Sequence, residues 1–175
     1  MSTVKKNNVA LIGFMGAGKT VAAKRLGEIL ARPVVSTDKL IEERAGSTIS
    51  HIFERFGENY FRKIERDIVT EVAKQHNVII DCGGGVAIDP HNLTQLKKHS
   101  VLIYLSTSAK VIYERIKEHT HRPLLQGKDP QKTIKELLAA RLPYSEKCDY
   151  TIDTDGKKNE QVCDEILKLF NKQGG

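Results

Sequence analysis

Residues 9–20 read Val9-Ala10-Leu11-Ile12-Gly13-Phe14-Met15-Gly16-Ala17-Gly18-Lys19-Thr20, and this stretch decides the fold. Val9–Ile12 is a short apolar run stopped by glycine, as expected of a strand buried on both faces. Gly13 to Thr20 fits G-x-x-x-x-G-K-[ST]. A helix should follow, because Ala22, Leu26, Ile29 and Leu30 recur at helical spacing until Pro33 closes the segment. Between a strand and a helix, each residue type of the motif has a reason. Glycines let backbone N–H groups turn inward around a phosphate, and the helix N-terminus adds positive partial charge. Lys19 would reach the β- and γ-phosphates of a nucleotide, and the Thr20 hydroxyl would ligate Mg²⁺. The plain alternative, a glycine-rich turn with an exposed lysine, does not account for the full pattern in this context.

Working outward, strand and helix signals alternate. Val34-Val35 reads as a second strand. A helical stretch follows with Ile49, Ile52, Phe53 and Phe56 on one face, and after Gly57 a second stripe runs through Phe61, Ile64, Ile68 and Val72. Val78–Ile80 is a third strand broken by Gly83-Gly84-Gly85, Val101–Leu105 a fourth and Tyr150–Ile152 a fifth. Helices are expected at about residues 108–118, 131–142 and 158–171. Strands alternating with amphipathic helices imply an α/β fold, a parallel sheet covered on both faces. The polar segment from His119 to Pro130, with two prolines, a glycine and Arg122, has no helical period. It fits an active-site lid or an ordinary surface connection.

The whole chain is 175 residues, 39% hydrophobic and 29% charged, which suits one compact domain over 1–175 with no internal boundary. No apolar run approaches the ~18 residues of a membrane span, so no membrane association is expected. Lys5-Lys6 before the first apolar run resembles a secretory leader, but that run passes straight into Gly18-Lys19-Thr20. Cys82, Cys148 and Cys163 are an odd number and form no C-x-x-C pair; they read as small hydrophobes in a reducing, cytoplasmic setting. The net charge of +6 admits an anionic partner of several kinds. Basic residues never run longer than two together and are not interleaved with aromatics, which argues against nucleic acid.

A phosphate loop alone leaves kinase, GTPase, motor or switch open. No N-K-x-D guanine-reading pattern is present and the chain is short for a motor, so a small-molecule phosphotransferase is favoured. Its acceptor should sit where neighbouring strand ends open onto the phosphate loop. Asp38 could cap the helix starting at Lys39, or it could take the proton of an acceptor hydroxyl. Arg141 continues the apolar face of Ile134, Leu137 and Leu138 at i+7, so it either snorkels from a helix end or meets an anion. Arg62 lies beside the Phe61 stripe with Glu65 three residues on to hold it. Two such arginines suggest a substrate with its own carboxylate or phosphate. For adenine only Arg115 and Asp155 offer themselves, without a motif.

These residues in this order resemble the shikimate kinase family: GFMGAGKT at 13–20, STDKLIEERAGSTISHIFERFGENYFRKIE at 36–65, CGGG at 82–85, HRPLL at 121–125 and RLPYSE at 141–146. The resemblance runs over nearly the whole chain. It implies a five-stranded parallel sheet of the nucleoside-monophosphate-kinase type, a P-loop kinase with a lid at about 119–130. It also implies transfer of the ATP γ-phosphoryl group to the 3-hydroxyl of shikimate, on the route to chorismate and aromatic amino acids, by a cytoplasmic monomer using Mg²⁺. On the resemblance, ATP contacts fall on Gly16, Ala17, Gly18, Lys19, Thr20, Val21 and Arg122. Arg62 and Arg141 would hold the carboxylate, Glu65 would orient Arg62, and Gly83, Gly84 and Gly85 would meet the ring. Lys19, Asp38 and Arg122 would carry the chemistry, Asp38 as base.

The match has departures. The family usually reads D-T-D after the second strand, where this chain has Ser36-Thr37-Asp38, and usually has a small or hydroxylated residue at the position of Asp81. Asp81 could therefore supply to the Mg²⁺ shell the carboxylate absent at Ser36, or be hydrogen-bonded elsewhere. Around RLPYSE the register of Tyr144 and Ser145 departs too, without touching Arg141. Another small-metabolite or nucleotide kinase, such as a gluconate or nucleoside-monophosphate kinase, is the competing reading.

Overall fold

The computed structural model describes residues 6–117 and 129–173. Five strands, β1 (Asn8–Gly13), β2 (Val34–Ser36), β3 (Ile79–Asp81), β4 (Ser100–Ser106) and β5 (Tyr150–Asp153), form one sheet in the order β2-β3-β1-β4-β5. Every pairing is parallel, so each connection must cross over through helical structure. The helices are α1 (Lys19–Leu30), α2 (Thr37–Ala45), α3 (Ile49–Val72), α4 (Pro90–Lys97), α5 (Ala109–Ile116), α6 (Pro130–Ser145) and α7 (Asn159–Gln173).

The period of two along β1 sorts the core. Val9 and Leu11 join Ile79, Val101 and Ile103 under Ala22, Ala23 and Leu26 of α1 and Val162 and Ile166 of α7. Ala10 and Ile12 face the other way, with Ile80 and Leu102, against Ile41, Ile52, Ile68, Val69 and Leu93 of α2, α3 and α4. Both faces of β1 are thus dry, which is why its sequence is uninterrupted rather than alternating. A third cluster, Phe14 with Ala109, Ile112, Ile116 and Ile134, closes the end of the sheet beside the phosphate loop.

Periodicity alone misplaces several side chains. Ile29 is 45% exposed, Phe53 38% and Phe56 50%, while Ile52 is fully buried. The backbone of α3 is non-helical at Gly57, with φ +78° and ψ 174°, so the two stripes do not share one helical phase. Phe53 stacks on Phe61 with ring centroids 4.7 Å apart, and Phe56 on Tyr60 at 4.8 Å. Helix α4 has no expectation in the sequence reading, although Asp89-Pro90 is its start signal: the Asp89 side chain caps by accepting from His91 N, and Pro90 takes the first turn. The expected lid falls almost wholly outside the described residues, as does Arg122.

Candidate active site

β1 and β3 are neighbours with Leu11 opposite Asp81, so the segments that leave their carboxyl ends, 13–18 and 82–85, lie side by side. The first curls back on itself. Gly16 and Gly18 hold φ of +78° and +91°, a left-handed backbone that glycine adopts without penalty, and α1 starts directly after Gly18. Lys19 is only 8% exposed; its Nζ donates to the Phe14 carbonyl at 2.9 Å. Burial lowers its pKa, against the pull of the nearby Asp81, Cys82 and Asp38. Arg115 Nη1 donates to the Gly16 carbonyl at 2.9 Å, which puts that adenine candidate against the phosphate loop. Asp155 instead accepts from Ser108 N at 3.0 Å and ties two loops together.

The segment 82–85 gathers three side chains from distant parts of the chain. Thr37 Oγ1, fully buried at the start of α2, accepts from Gly83 N at 2.8 Å. Asp38 packs so closely on Gly83 that a Cβ there would collide with its carboxylate. Capping of α2 falls to Ser36, whose hydroxyl accepts from Lys39 N; the capping alternative for Asp38 is thereby corrected, and its carboxylate is left to face Lys19, Asp81, Glu42 and Arg62. Burial raises its pKa, Lys19 opposing. Arg141 Nη1 donates to the Gly84 carbonyl at 2.9 Å, and Arg62 Nη1 to the Gly85 carbonyl at 3.3 Å.

Arg62 is further fixed by Glu65 at 2.8 Å and by Glu58 at 3.2 Å. Glu65 is 1% exposed, and burial raises its pKa despite the arginine. Its second oxygen, Oε1, is buried with no hydrogen-bond partner among the described residues. Arg141, by contrast, meets no carboxylate among the described residues; its guanidinium lies over the Phe14 ring, Cζ 4.4 Å from the centroid. Lys19, Asp38, Arg62, Glu65, Asp81, the three glycines and Arg141 are thus brought to one end of the sheet.

A divalent cation would find oxygen donors here. Thr20 Oγ1 donates to Asp81 Oδ2 at 2.7 Å, and Asp81 stands opposite Ser36 in the β2–β3 register. No cluster of three or more metal-ligating side chains exists among the described residues. Mg²⁺ is commonly held by one or two protein oxygens together with substrate phosphates rather than by a protein cage.

A phosphate loop at the end of a parallel sheet, with a basic and acidic acceptor floor beside it, defines a P-loop kinase, a phosphotransferase acting on a small acceptor. The family model described as shikimate kinase matches residues 15–171. The chain belongs to the shikimate kinase family. It is 46% identical over 168 residues to a shikimate kinase of Dehalococcoides mccartyi, covering 95% of each chain. It is 42% identical over 168 residues to that of Caldanaerobacter subterraneus, covering 96% of this chain and 98% of the other. Its structure is similar to that of the Acinetobacter baumannii shikimate kinase in complex with shikimate, with TM-score 0.89, 33% identity and coverage of 98% and 96%. A gluconokinase from Sinorhizobium meliloti shares the fold at TM-score 0.66 but only 14% identity. No helix among the described residues is long and apolar enough to cross a membrane.

Proposed function

We propose that this site transfers the γ-phosphoryl group of ATP to the 3-hydroxyl of shikimate, giving 3-phosphoshikimate and ADP for aromatic biosynthesis. The observation that carries the reading is the convergence of Arg62 and Arg141 on the carbonyls of the adjacent Gly85 and Gly84. Two guanidiniums in one floor match a substrate carboxylate, which accepts paired hydrogen bonds from such forks. Gluconate would also offer a carboxylate, so the test must compare acceptors.

In this reading Asp38 accepts the proton of the attacked hydroxyl as its oxygen bonds to the γ-phosphorus and the bond to the leaving ADP oxygen breaks. A carboxylate raised in pKa by burial is a better proton acceptor than an exposed one. Lys19 and the backbone of Gly16 to Val21 hold the phosphates, and phosphoryl transfer asks mainly for such positioning and charge. Glu65 orients Arg62, and its buried Oε1, without a hydrogen-bond partner among the described residues, would accept from a substrate hydroxyl or a water. Thr20 and Asp81 are the residues that would hold Mg²⁺ with the phosphates, where the ion neutralises phosphate charge. The register pairing of Ser36 with Asp81 supports the carboxylate having moved from one strand end to its neighbour. Arg122 keeps the part the resemblance implies, in the expected lid of a single-domain cytoplasmic monomer that binds neither nucleic acid nor membrane.

An ADP-release assay comparing shikimate with gluconate and nucleoside monophosphates tests the assignment; comparable kcat/KM for another acceptor overturns it. Arg62→Ala and Arg141→Ala should each raise the KM for shikimate roughly 10–100-fold, the equivalent of a charge-assisted hydrogen bond worth ~1.5–3 kcal/mol. The KM for ATP should change less than about twofold. Equal losses on both substrates would sink the clamp.

A further inference from the structure

The two arginines of the floor are held by different means. Arg62 has Glu65, Glu58 and the Gly85 carbonyl around it. Among the described residues Arg141 has one hydrogen bond, to the Gly84 carbonyl, and the face of Phe14 beneath it. An arginine without a carboxylate partner keeps its charge for a ligand, but it needs something else to set its plane. A ring face does this without consuming N–H donors, since the guanidinium stacks flat and its edge stays open.

We infer that Phe14 is a positioning residue for the acceptor: its ring is the platform that orients Arg141 toward the substrate carboxylate. Phe14 is a variable position of the phosphate-loop motif, where nothing in the nucleotide reading requires an aromatic. It is nevertheless 1% exposed and packed among Ala109, Ile112, Ile116 and Ile134, so its ring cannot swing away from the guanidinium. Its main chain belongs to the other substrate's site, with its carbonyl accepting from Lys19 Nζ at 2.9 Å and from Ala17 N at 3.1 Å. Residue 14 therefore touches the phosphate-binding lysine through its backbone and the carboxylate-binding arginine through its side chain. The ring contact lies on the acceptor side, so its loss should be felt by shikimate and not by ATP.

The inference rests on the reading of Arg141 as a carboxylate ligand, and the experiment separates the two. Steady-state kinetics with shikimate and ATP are measured for the full chain, Phe14→Leu, Phe14→Tyr, Arg141→Ala and the double variant Phe14→Leu/Arg141→Ala, each checked by circular dichroism and thermal unfolding. Phe14→Met replaces Phe14→Leu if that variant does not fold. Phe14→Leu should raise the KM for shikimate about five- to tenfold, within the range of a desolvated cation–π contact, with the KM for ATP within about twofold. Phe14→Tyr, which retains the ring face, should recover most of the affinity. In the Arg141→Ala background the Phe14→Leu change should have no further effect on the shikimate KM, because a residue acting through Arg141 is silent once Arg141 is gone. An equal penalty in both backgrounds, or equal losses for ATP and shikimate, overturns the platform. If Arg141→Ala raises the KM and Phe14→Leu does not, the platform alone falls. If Arg141→Ala leaves the shikimate KM unchanged, the clamp reading falls and the platform with it.

Discussion

The phosphate loop and the acceptor floor are both glycine-rich segments leaving neighbouring parallel strands, and they use glycine for opposite reasons. At Gly18 the backbone is left-handed, with φ +91° and ψ +14°, while among the described residues a Cβ would meet only Arg115 Nη1 at 3.9 Å. The conformation is special and the space is open. At Gly85 the backbone is ordinary, with φ −106° and ψ −2°, while a Cβ would fall 2.6 Å from Arg62 Nη1. The conformation is open to any residue and the space is taken. One segment curls its own main chain and the other makes room for side chains brought from α2 and α3. The phosphate end of the site is therefore local in sequence, and the acceptor end is assembled by the fold.

Substitutions that respect this division should separate the two substrates. The largest effect is expected at the floor's first glycine: Gly83→Ala displaces Asp38, and kcat should fall toward the ~10²–10⁴-fold loss of Asp38→Asn, the usual scale for removing a general base. ATP affinity should survive in both, as read by titration with a fluorescent nucleotide analogue. Because burial raises the pKa of Asp38, the acid limb of kcat/KM should lie above the ordinary carboxylate value and disappear in Asp38→Asn. A limb at the same pH in both would remove Asp38 from the role of base.

Gly18→Ala probes the other kind of glycine. Its left-handed strain of ~1–2 kcal/mol should raise the KM for ATP by about tenfold and leave shikimate nearly untouched. A similar size is expected for Asp81→Asn in metal affinity. Mn²⁺ binding to the nucleotide complex, followed by electron paramagnetic resonance, should weaken about tenfold, as for loss of one charged ligand contact. Unchanged Mn²⁺ affinity would leave Asp81 as a partner of Thr20 and nothing more. Gly85→Ala should raise the KM for shikimate by a few-fold to tenfold, since Arg62 is long enough to yield partly, with ATP unaffected.

The smallest effect is on stability. A carboxyl whose folded pKa is raised binds its proton more readily in the folded state, so its charge lowers stability above that raised value. Between the ordinary and the raised value, stability falls as pH rises. Asp38→Asn should accordingly raise the unfolding temperature at neutral pH. The difference from the native chain should vanish below the ordinary carboxylate pKa. An equal gain at low pH would point to packing rather than charge.

The same division explains how far the sequence could be read. The phosphate loop, β1 and α1 are legible because one contiguous motif contains both the binding groups and the turn that aims them. Arg62 with Glu65 is legible because i and i+3 share a helix face. Arg141 is legible as a charge continuing an apolar face, though not its partners, since Gly84 and Phe14 reach it only through the packing of α6 across the end of the sheet. That Gly83 admits Asp38 and Gly85 admits Arg62, while Gly84 lies against the main chain of Met15, is likewise a tertiary matter. Phe53 and Phe56 are misplaced because a period finds the apolar face of a helix and not what that face meets: here they stack on Phe61 and Tyr60 and stay half-exposed. Helix α4 is short, and its apolar residues Leu93 and Leu96 are too few to show a period, although its cap and proline are plain.

The crowded glycines also bear on inheritance. Every missense change in a glycine codon adds at least a Cβ, and at Gly83 and Gly85 that carbon lands on Asp38 or Arg62. At Gly83 the carboxylate is on a short side chain with little room to retreat, whereas at Gly85 the far end of the longer Arg62 yields in part. An inhibitor seated against Gly83 would rest on a surface that the gene cannot remodel without displacing Asp38, whereas one reaching toward Phe56 and Tyr60 would meet half-exposed side chains.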